Sequence, residues 1–395
     1  MHKTGSSSIQ HNLAKITDAP DWRLMVVGGR SNMGPALHAM VQSSSKCFWF
    51  AKSGTSSETV AQKGEVWRNE FRKIVKELNV ENFIVSAEAL SSFSRESIVA
   101  LRDFITPLFD EVRVIGYVRP PVAFKISRFQ ENVKHGNGVF NVADIKLNYR
   151  AKFKKFDDIF GISNVILRKF APSTFPDQCI VADFCQQTGI IYPENTPVRR
   201  INESLSREAC GILYAYRKFS PGYGVGRDVI RENLRVVRPL FAVKGAKFKV
   251  PTEFFGEALA LEGRDISWME KRLGVSLKES AAANGSEVTC EDDLLKIKQS
   301  SCEEYAARFR ELYEVDVPQE WVPQGDPVDP VQVAEFMDQC RTICRKAIVE
   351  KRESVLAARA RLKKSFSYRI RRFPGVTIRV IKRLLLGQSP RGTAK

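Results

Sequence analysis

An arginine and a serine at a defined spacing could bind a phosphate group where a buried strand ends. The apolar run 112–118 is followed by Arg119 and two prolines, and Ser127 comes eight residues after the arginine. Such a run bounded by proline is typical of a buried parallel strand, and residues 123–134 have the pattern of the helix behind it. Parallel sheets bind ligands at the carboxyl ends of their strands. We therefore expect Arg119 and Ser127 to hold an anion, although an arginine after a strand can also be an ordinary surface charge.

The amino-terminal segment contains a second group of residues suited to an anion. Residues 1–8 have the sequence Met-His-Lys-Thr-Gly-Ser-Ser-Ser and lead into a helix-like stretch at 9–14. Small residues let successive backbone N–H groups surround an anion, the start of a helix adds partial positive charge, and Lys3 supplies a cation. A P-loop nucleotidase has its lysine after the second glycine of G-x-x-x-x-G-K-[ST], whereas Lys3 precedes Gly5 here. This order argues against an ATP or GTP phosphate loop, and the competing interpretation is a frayed, serine-rich terminus.

Together the two segments resemble the cofactor motifs of sulfotransferases that use 3′-phosphoadenosine 5′-phosphosulfate, in particular the bacterial carbohydrate-type members. Arg119 and Ser127 have that family's spacing for the 3′-phosphate. The resemblance covers about residues 1–270 and includes segments at 83–88, 165–168, 181–184 and 200–209. The residues that resemble the family's 5′-phosphosulfate loop are Lys3, Thr4, Gly5, Ser6, Ser7 and Ser8.

The resemblance implies both a fold and a reaction. The fold is a P-loop NTPase-like, three-layer αβα domain with a central parallel sheet, followed here by a helical extension. The reaction moves the sulfuryl group by in-line displacement to a hydroxyl or amine of a carbohydrate or lipid-linked glycan. Lys3 would stabilise the charge that develops on the leaving oxygen, and Arg119 with Ser127 would select the 3′-phosphate and reject ATP. No metal ion is expected, because lysine, arginine and N–H donors hold the leaving group.

The general base for the acceptor hydroxyl has two candidates. Glu88 follows a predicted strand at 82–86 by two residues, and the segment 86–88 resembles the place where bacterial members of the family carry a glutamate base. His38 is the alternative base or an acceptor-site residue, and His2 could also reach the site. Both Glu88 and His38 also have a structural interpretation. Glu88 would be a solvent-facing glutamate at a helix start, and His38 would be a buried structural histidine.

The beginning of the sequence departs from the resembled family. In that family a buried strand leads into the phosphate loop, whereas this sequence starts two residues before Lys3. A sheet without that strand exposes unpaired backbone beside the site. We expect the true start to lie upstream, and the alternative is a truncated product of poor activity.

Composition favours a globular enzyme in the cytoplasm. The 395 residues are 43% hydrophobic, which is enough for a large core and too much for a mostly disordered chain. No apolar segment approaches the ~20 residues that span a bilayer, and we expect no signal peptide. The eight cysteines form no C-x-x-C pair and only four histidines accompany them, so a zinc site is not expected.

The positive charge is concentrated in the carboxyl-terminal tail. Residues 351–395 contain 14 Lys and Arg and one acid, a net charge of +13, which leaves +4 of the total +17 for residues 1–350. In the tail, basic residues alternate with bulky apolar ones, as in a helix that lies on an anionic membrane surface. A solvated tail is the competing interpretation, and nucleic-acid binding is disfavoured because no recognisable module accompanies the charge.

The order of predicted elements implies a parallel sheet with helices on both faces, followed by a helical region. The predicted domain organisation is an α/β domain at 1–270, a helical extension at 271–317, a proline-rich linker at 318–330, and a helix with a basic amphipathic tail at 331–395. The strands are predicted at 22–27, 82–86, 112–118 and 164–167. The later helices are predicted at 65–78, 94–109, 123–134, 142–156, 206–218, 227–237, 291–313 and 330–364.

Two other functions stay open from the sequence. One is an ATP-dependent, kinase-like transferase, against which the order of Lys3 and Gly5 and the lack of a clear acidic metal-binding motif both count. The other is a non-catalytic glycan-binding or membrane-associated protein, which the absent first strand keeps open. The acceptor itself is not predicted, because acceptor pockets are formed by variable loops.

Overall fold

The computed structural model describes residues 4–42, 48–199, 204–222, 226–279 and 287–372, except the side chains of residue 48 and residues 362–372. The strands are β1 (Trp22–Leu24), β2 (Asn82–Ile84), β3 (Val114–Val118) and β4 (Val165–Lys169). The helices are α1 (Ser6–Leu13), α2 (Gly34–Gln42), α3 (Phe48–Lys52), α4 (Ser57–Glu77), α5 (Arg95–Ile105), α6 (Pro121–Lys134), α7 (Tyr149–Phe160), α8 (Ile180–Thr188), α9 (Arg207–Phe219), α10 (Arg227–Val237), α11 (Gly256–Leu261), α12 (Gly263–Leu273), α13 (Glu291–Leu295), α14 (Gln299–Tyr313) and α15 (Pro330–Arg372).

The described strands form two parallel pairs. β1 pairs with β2 with Trp22 opposite Asn82, and β3 pairs with β4 with Val114 opposite Val165. Each pair is connected through helices, as parallel strands require. In the described part of the chain the two pairs are separate two-stranded sheets, so the single central sheet of the three-layer fold stays a prediction.

Both strand pairs share the same two apolar layers. On one face, α1 and α8 cover both pairs, and this cluster contains Leu13, Trp22, Ile84, Tyr117 and Val181. Helices α2, α4, α5 and α7 form the other layer, which contains Met25, Leu37, Phe71, Ile98, Phe156 and Val165. Because side chains alternate between the faces of a strand, the sequence of each strand contributes to both layers. The two sheets therefore lie side by side in one α/β core.

Most predicted elements are confirmed near their expected positions. The strands at 22–27 and 82–86 are shorter than predicted, ending at Leu24 and Ile84. Ser94 caps α5 as expected, because its side chain accepts a hydrogen bond from the N–H of Ser97 at 3.2 Å.

The helix predicted at 142–156 is wrong at its amino end. Residues 142–148 form a loop, because buried Lys125 donates to the carbonyl oxygens of Ala143 at 2.9 Å and Ile145 at 2.6 Å. The carboxylate of Glu262 lies 2.6 Å from the same Lys125 amine and accepts the N–H of Leu147 at 2.7 Å. These bonds engage the backbone groups that a helix would use.

The predicted helix at 291–313 is interrupted between α13 and α14. There the N–H of Val328 donates to the carbonyl of Ile297 at 2.9 Å. Val322 and Val328 are buried, so the proline-rich segment 318–330 is packed against neighbouring residues.

Contacts group the chain into two compact units, residues 1–341 and 342–395. All the side chains described at 351–361 are exposed, and the rest of the basic tail lies outside the described side chains. None of the helices in the described ranges combines the length and apolar character needed to cross a membrane.

Candidate functional site

The turn before α1 starts the helix from a glycine in the left-handed conformation. Gly5 has a φ of 79°, and a Cβ at this position would lie 2.9 Å from the Cγ1 atom of Ile180. Glycine alone adopts this conformation and fits this contact without strain. The N–H of Ser8 donates to the carbonyl of Gly5 at 3.0 Å, so the helix begins at once. The N–H groups of Ser6 and Ser7 precede the intrahelical hydrogen bonds and can donate to an anion.

Polar side chains of α1 fix this turn to its surroundings. The side-chain amide of Gln10 donates to the hydroxyl of Ser86 at 3.0 Å, at the end of the segment that follows β2. Buried Asn12 donates to the carbonyl of Arg199 at 2.8 Å and accepts the N–H of the same residue at 2.8 Å. The start of α1 is thereby held next to the carboxyl end of β2.

Arg119 and Ser127 lie in direct contact at the carboxyl end of β3. The Nη1 atom of Arg119 donates to the Oγ atom of Ser127 at 3.1 Å, and the guanidinium lies 5.5 Å from the centre of the Phe170 ring. The hydroxyl of Tyr149 donates to the carbonyl of Arg119 at 2.6 Å, which fixes the backbone there. Burial lowers the pKa of Arg119, and the nearby Glu279 carboxylate opposes this shift. A half-buried guanidinium beside a hydroxyl is suited to a phosphate or sulfate group.

Glu279 is a site residue that the sequence analysis did not identify. Its carboxylate accepts the N–H groups of Val122 at 2.7 Å and Ala123 at 3.0 Å, in the first turn of α6. Burial raises the pKa of Glu279, whereas these N–H groups and then Arg119 lower it. The carboxylate therefore occupies donors that an anion at Arg119 would otherwise use. No sequence signal pointed to it, because 157 residues separate it from Val122.

The turn before α1 and part of β3 border one cavity of about 840 Å³, whose lining residues do not include Arg119 or Ser127. Thr4 and Ser6 line the same cavity as Tyr117, which is two residues before Arg119. Glu88 also lines it, at the start of a short 3-10 turn after β2. The structure thus brings the loop, the Glu88 segment and residues 114–117 of β3 to one cavity. Lys3 and His2 lie outside the described residues.

His38 is buried inside α2, away from solvent. Its ring centre lies 6.0 Å from that of Phe50 and 5.8 Å from that of Phe93, the latter in an edge-on arrangement. Packing between two aromatic rings is typical of a structural histidine. His38 is not among the residues that line the cavity shared by Thr4 and Glu88.

A buried polar network joins the two sides of the site. Asp183 of α8 is fully buried and accepts hydrogen bonds from Tyr117 at 2.6 Å and from Arg168 at 2.6 and 3.1 Å. Burial, followed by the bond to Asp183, raises the pKa of Tyr117 far above its ordinary value. The network ties β3 and β4 to α8, the helix whose first residue contacts Gly5.

No cluster of three or more His, Cys, Asp or Glu side chains suited to a metal ion occurs among the described residues. Comparisons with protein-family models, with curated proteins and with solved structures found no match.

Proposed function

We propose that this protein is a sulfotransferase that moves a sulfuryl group from 3′-phosphoadenosine 5′-phosphosulfate to a carbohydrate or lipid-linked glycan. The contact between Arg119 and Ser127 at the carboxyl end of β3 supports this proposal most directly. It joins a charged fork and a hydroxyl, the pair expected to bind the 3′-phosphate. The glycine turn before α1 adds the second expected anion site, for the 5′ end of the nucleotide.

In the proposed reaction, a hydroxyl or amine of the acceptor attacks the sulfur atom. The bond from that atom to sulfur forms as the sulfur–oxygen bond to the nucleotide breaks, and adenosine 3′,5′-bisphosphate leaves. Glu88 takes the proton from the acceptor, in keeping with its place at the cavity. Lys3 and the N–H groups of Ser6 and Ser7 stabilise the negative charge that develops on the leaving oxygen. His38, which is buried beside Phe50 and Phe93 and does not line the cavity, has no part in this scheme.

Replacing Arg119 by alanine should weaken binding of adenosine 3′,5′-bisphosphate by about 10- to 100-fold, because a charge-assisted contact is lost. A thermal-shift titration measures this, since a ligand at 100 times its Kd stabilises a protein by about 2.7 kcal/mol. AMP, ADP and ATP with magnesium serve as competing ligands. Arg102→Ala is the matched control, because Arg102 pairs with Asp103 at the surface.

The same titration tests the role of Glu279. Glu279→Gln removes a negative charge beside the proposed 3′-phosphate and should tighten binding by up to about tenfold.

Selective stabilisation by ATP with magnesium would replace the proposal with the kinase-like function. A response to none of the nucleotides would favour a non-catalytic glycan-binding protein.

We further propose that the basic tail holds the protein peripherally on an anionic membrane from the cytoplasmic side. The exposed side chains at 351–361 and the +13 charge of residues 351–395 support this placement. Each cation near an anionic surface contributes about 1 kcal/mol. Deleting residues 351–395 should abolish cosedimentation with vesicles that contain phosphatidylserine. Unchanged cosedimentation would contradict this role. If the tail binds RNA and not the vesicles, its partner is nucleic acid.

A further inference from the structure

A second pocket, of about 280 Å³, lies where α3, α10 and the carboxyl ends of α6 and α9 meet. Lys52, His135 and Arg217 line it, and none of the described residues that line it is acidic. The carboxylate of Glu131 lies 3.4 Å from the Nδ1 atom of His135, but Glu131 is not part of the lining. We call this the cationic pocket, because two permanent cations face it. Pockets for whole small molecules begin at about 300 Å³, so its volume suits an anionic group of modest size.

The two cations are held in place at the carboxyl end of α6. The Nζ atom of Lys52 donates to the carbonyl of His135 at 2.7 Å, and the Nε atom of Arg217 donates to the carbonyl of Val133 at 3.0 Å. The end of a helix carries about half a negative charge, which does not neutralise two full cations. Burial, followed by the charge of Arg217, lowers the pKa of Lys52. A bound anion would relieve this repulsion.

Three exposed aromatic side chains surround the cationic pocket, and no other Phe, Tyr or Trp is exposed among the side chains that the structure describes. Trp49 lines the pocket, Phe219 precedes the lining residue Ser220, and Phe241 is the third. Cationic groups lie 5.9, 5.5 and 5.0 Å from the three ring centres, and they belong, in the same order, to Arg30, Lys218 and Lys134. Each exposed ring is therefore next to a positive charge.

The outer face of α10 continues this surface. Arg227, Arg231, Leu234 and Arg238 recur at spacings of four, three and four residues, so they lie on one face of the helix and its C-cap. All four are exposed, and Leu234 also lines the cationic pocket. Asp228 pairs with Arg231 at 3.1 Å, which leaves the arginines in excess on this face. The face thus combines positive charge with an exposed leucine at the rim of the pocket.

Exposed apolar side chains set among cations are typical of a surface that contacts an anionic membrane. Contiguous exposed apolar groups mark interaction sites, and aromatic rings are enriched at the level of the lipid headgroups. Leucine and phenylalanine side chains enter the boundary between headgroups and acyl chains, while lysine and arginine attract anionic lipids. Basic pockets beside such surfaces bind lipid headgroups. A soluble anion would account for the pocket but not for the exposed rings around it.

We propose that the cationic pocket binds the phosphate of an anionic lipid headgroup, while Trp49, Leu234 and Phe241 enter the membrane interface. The site consists of residues between 30 and 241, so it is a membrane contact additional to the basic tail. It requires neither that tail nor sulfuryl transfer.

Tryptophan fluorescence of the full chain tests the contact at one residue. Vesicles of phosphatidylcholine and phosphatidylserine with brominated acyl chains should quench the emission of Trp49, because its ring reaches the brominated layer. The quenching should be lost in Trp49→Phe. Cosedimentation of the full chain without this quenching would assign membrane binding to the basic tail alone and would overturn the proposal.

Two variants of the full chain test the apolar and the charged part of the site. Leu234→Ser should weaken partitioning onto the same vesicles by about tenfold, because an inserted apolar side chain is lost. Lys52→Gln should weaken it by about fivefold, because one cation is lost. Leu261→Ser is the matched control, since Leu261 is 75% exposed on α11 and does not line the pocket. Equal losses from the two leucine variants would overturn the proposal.

Two further probes identify what the surface binds. Equal quenching by vesicles of phosphatidylcholine alone would overturn the role of an anionic headgroup. If inorganic phosphate raises the unfolding temperature in a way that depends on Lys52, and no vesicle quenches Trp49, the pocket is a site for a soluble anion and the proposal is wrong. Nucleotide is absent from all these measurements, so this proposal and the sulfotransferase function succeed or fail separately.

Discussion

Replacing Asp183 by alanine should lower the free energy of unfolding by about 2 to 4 kcal/mol, because it leaves the hydroxyl of buried Tyr117 and the half-buried Arg168 without their shared acceptor. Asp183 is fully buried and accepts hydrogen bonds from Tyr117 and from two nitrogens of Arg168. The alanine variant removes the acceptor for all three bonds and also leaves a space in the apolar layer. Urea denaturation followed by circular dichroism measures the loss.

Asp158→Ala is the matched control for this prediction. Asp158 also pairs with two cations, Lys154 at 2.6 Å and Arg95 at 3.0 Å, but these pairs lie at the surface. Exposed ion pairs contribute about 0 to 1 kcal/mol, so this variant should remain close to the parent protein. Equal losses for the two variants would contradict the role assigned to the buried network.

The network has a consequence for the candidate site. Tyr117 belongs to β3 and Arg168 to β4, whereas Asp183 belongs to α8, the helix that begins against Gly5. A shift of α8 would therefore disturb the turn before α1 and the strand that leads to Arg119 together. Under the proposed function, a variant of Asp183 that still folds should therefore weaken binding of adenosine 3′,5′-bisphosphate.

Local sequence patterns predicted the parts of the site that depend on neighbours in the chain. The spacing of Arg119 and Ser127 placed the arginine after a strand and the serine on the following helix, and the structure brings the two side chains into contact. The Ser94 cap is equally local. The apolar run, the prolines and the serine at a helix start each act over a few residues, so sequence alone defines them.

Contacts between segments that are distant in the chain could not be predicted from the sequence. Residues 142–148 have a helical pattern, but Lys125 and Glu262 engage their backbone groups and a loop results. Glu279 reaches the start of α6 across 157 residues, and no periodicity or spacing encodes that meeting. Tertiary hydrogen bonds to the backbone override helix propensity because each replaces a bond that the helix would have made.

Lys3→Ala should lower the rate of sulfuryl transfer by about 100- to 1000-fold, provided that the proposed function holds. Lysine at this place would act on the charge of the leaving oxygen, which develops only in the transition state. Turnover should therefore fall far more than the affinity for adenosine 3′,5′-bisphosphate, whereas Arg119→Ala should mainly weaken that affinity. Radiolabelled sulfate transfer to a mixed glycan acceptor, alongside the thermal-shift titration, measures the two effects separately.

Lys15→Ala is the control for this last variant, because Lys15 is exposed just beyond the end of α1. This variant changes the net charge by the same amount as Lys3→Ala, but Lys15 lies at the other end of α1 from Gly5. Losses of similar size in both variants would show that the effect comes from overall charge and would remove Lys3 from the mechanism. A loss of rate confined to Lys3→Ala, with nucleotide affinity retained, would show that the segment before α1 stabilises the charge on the leaving group. The two anion sites would then have separate tasks, Arg119 holding the nucleotide and Lys3 promoting its departure.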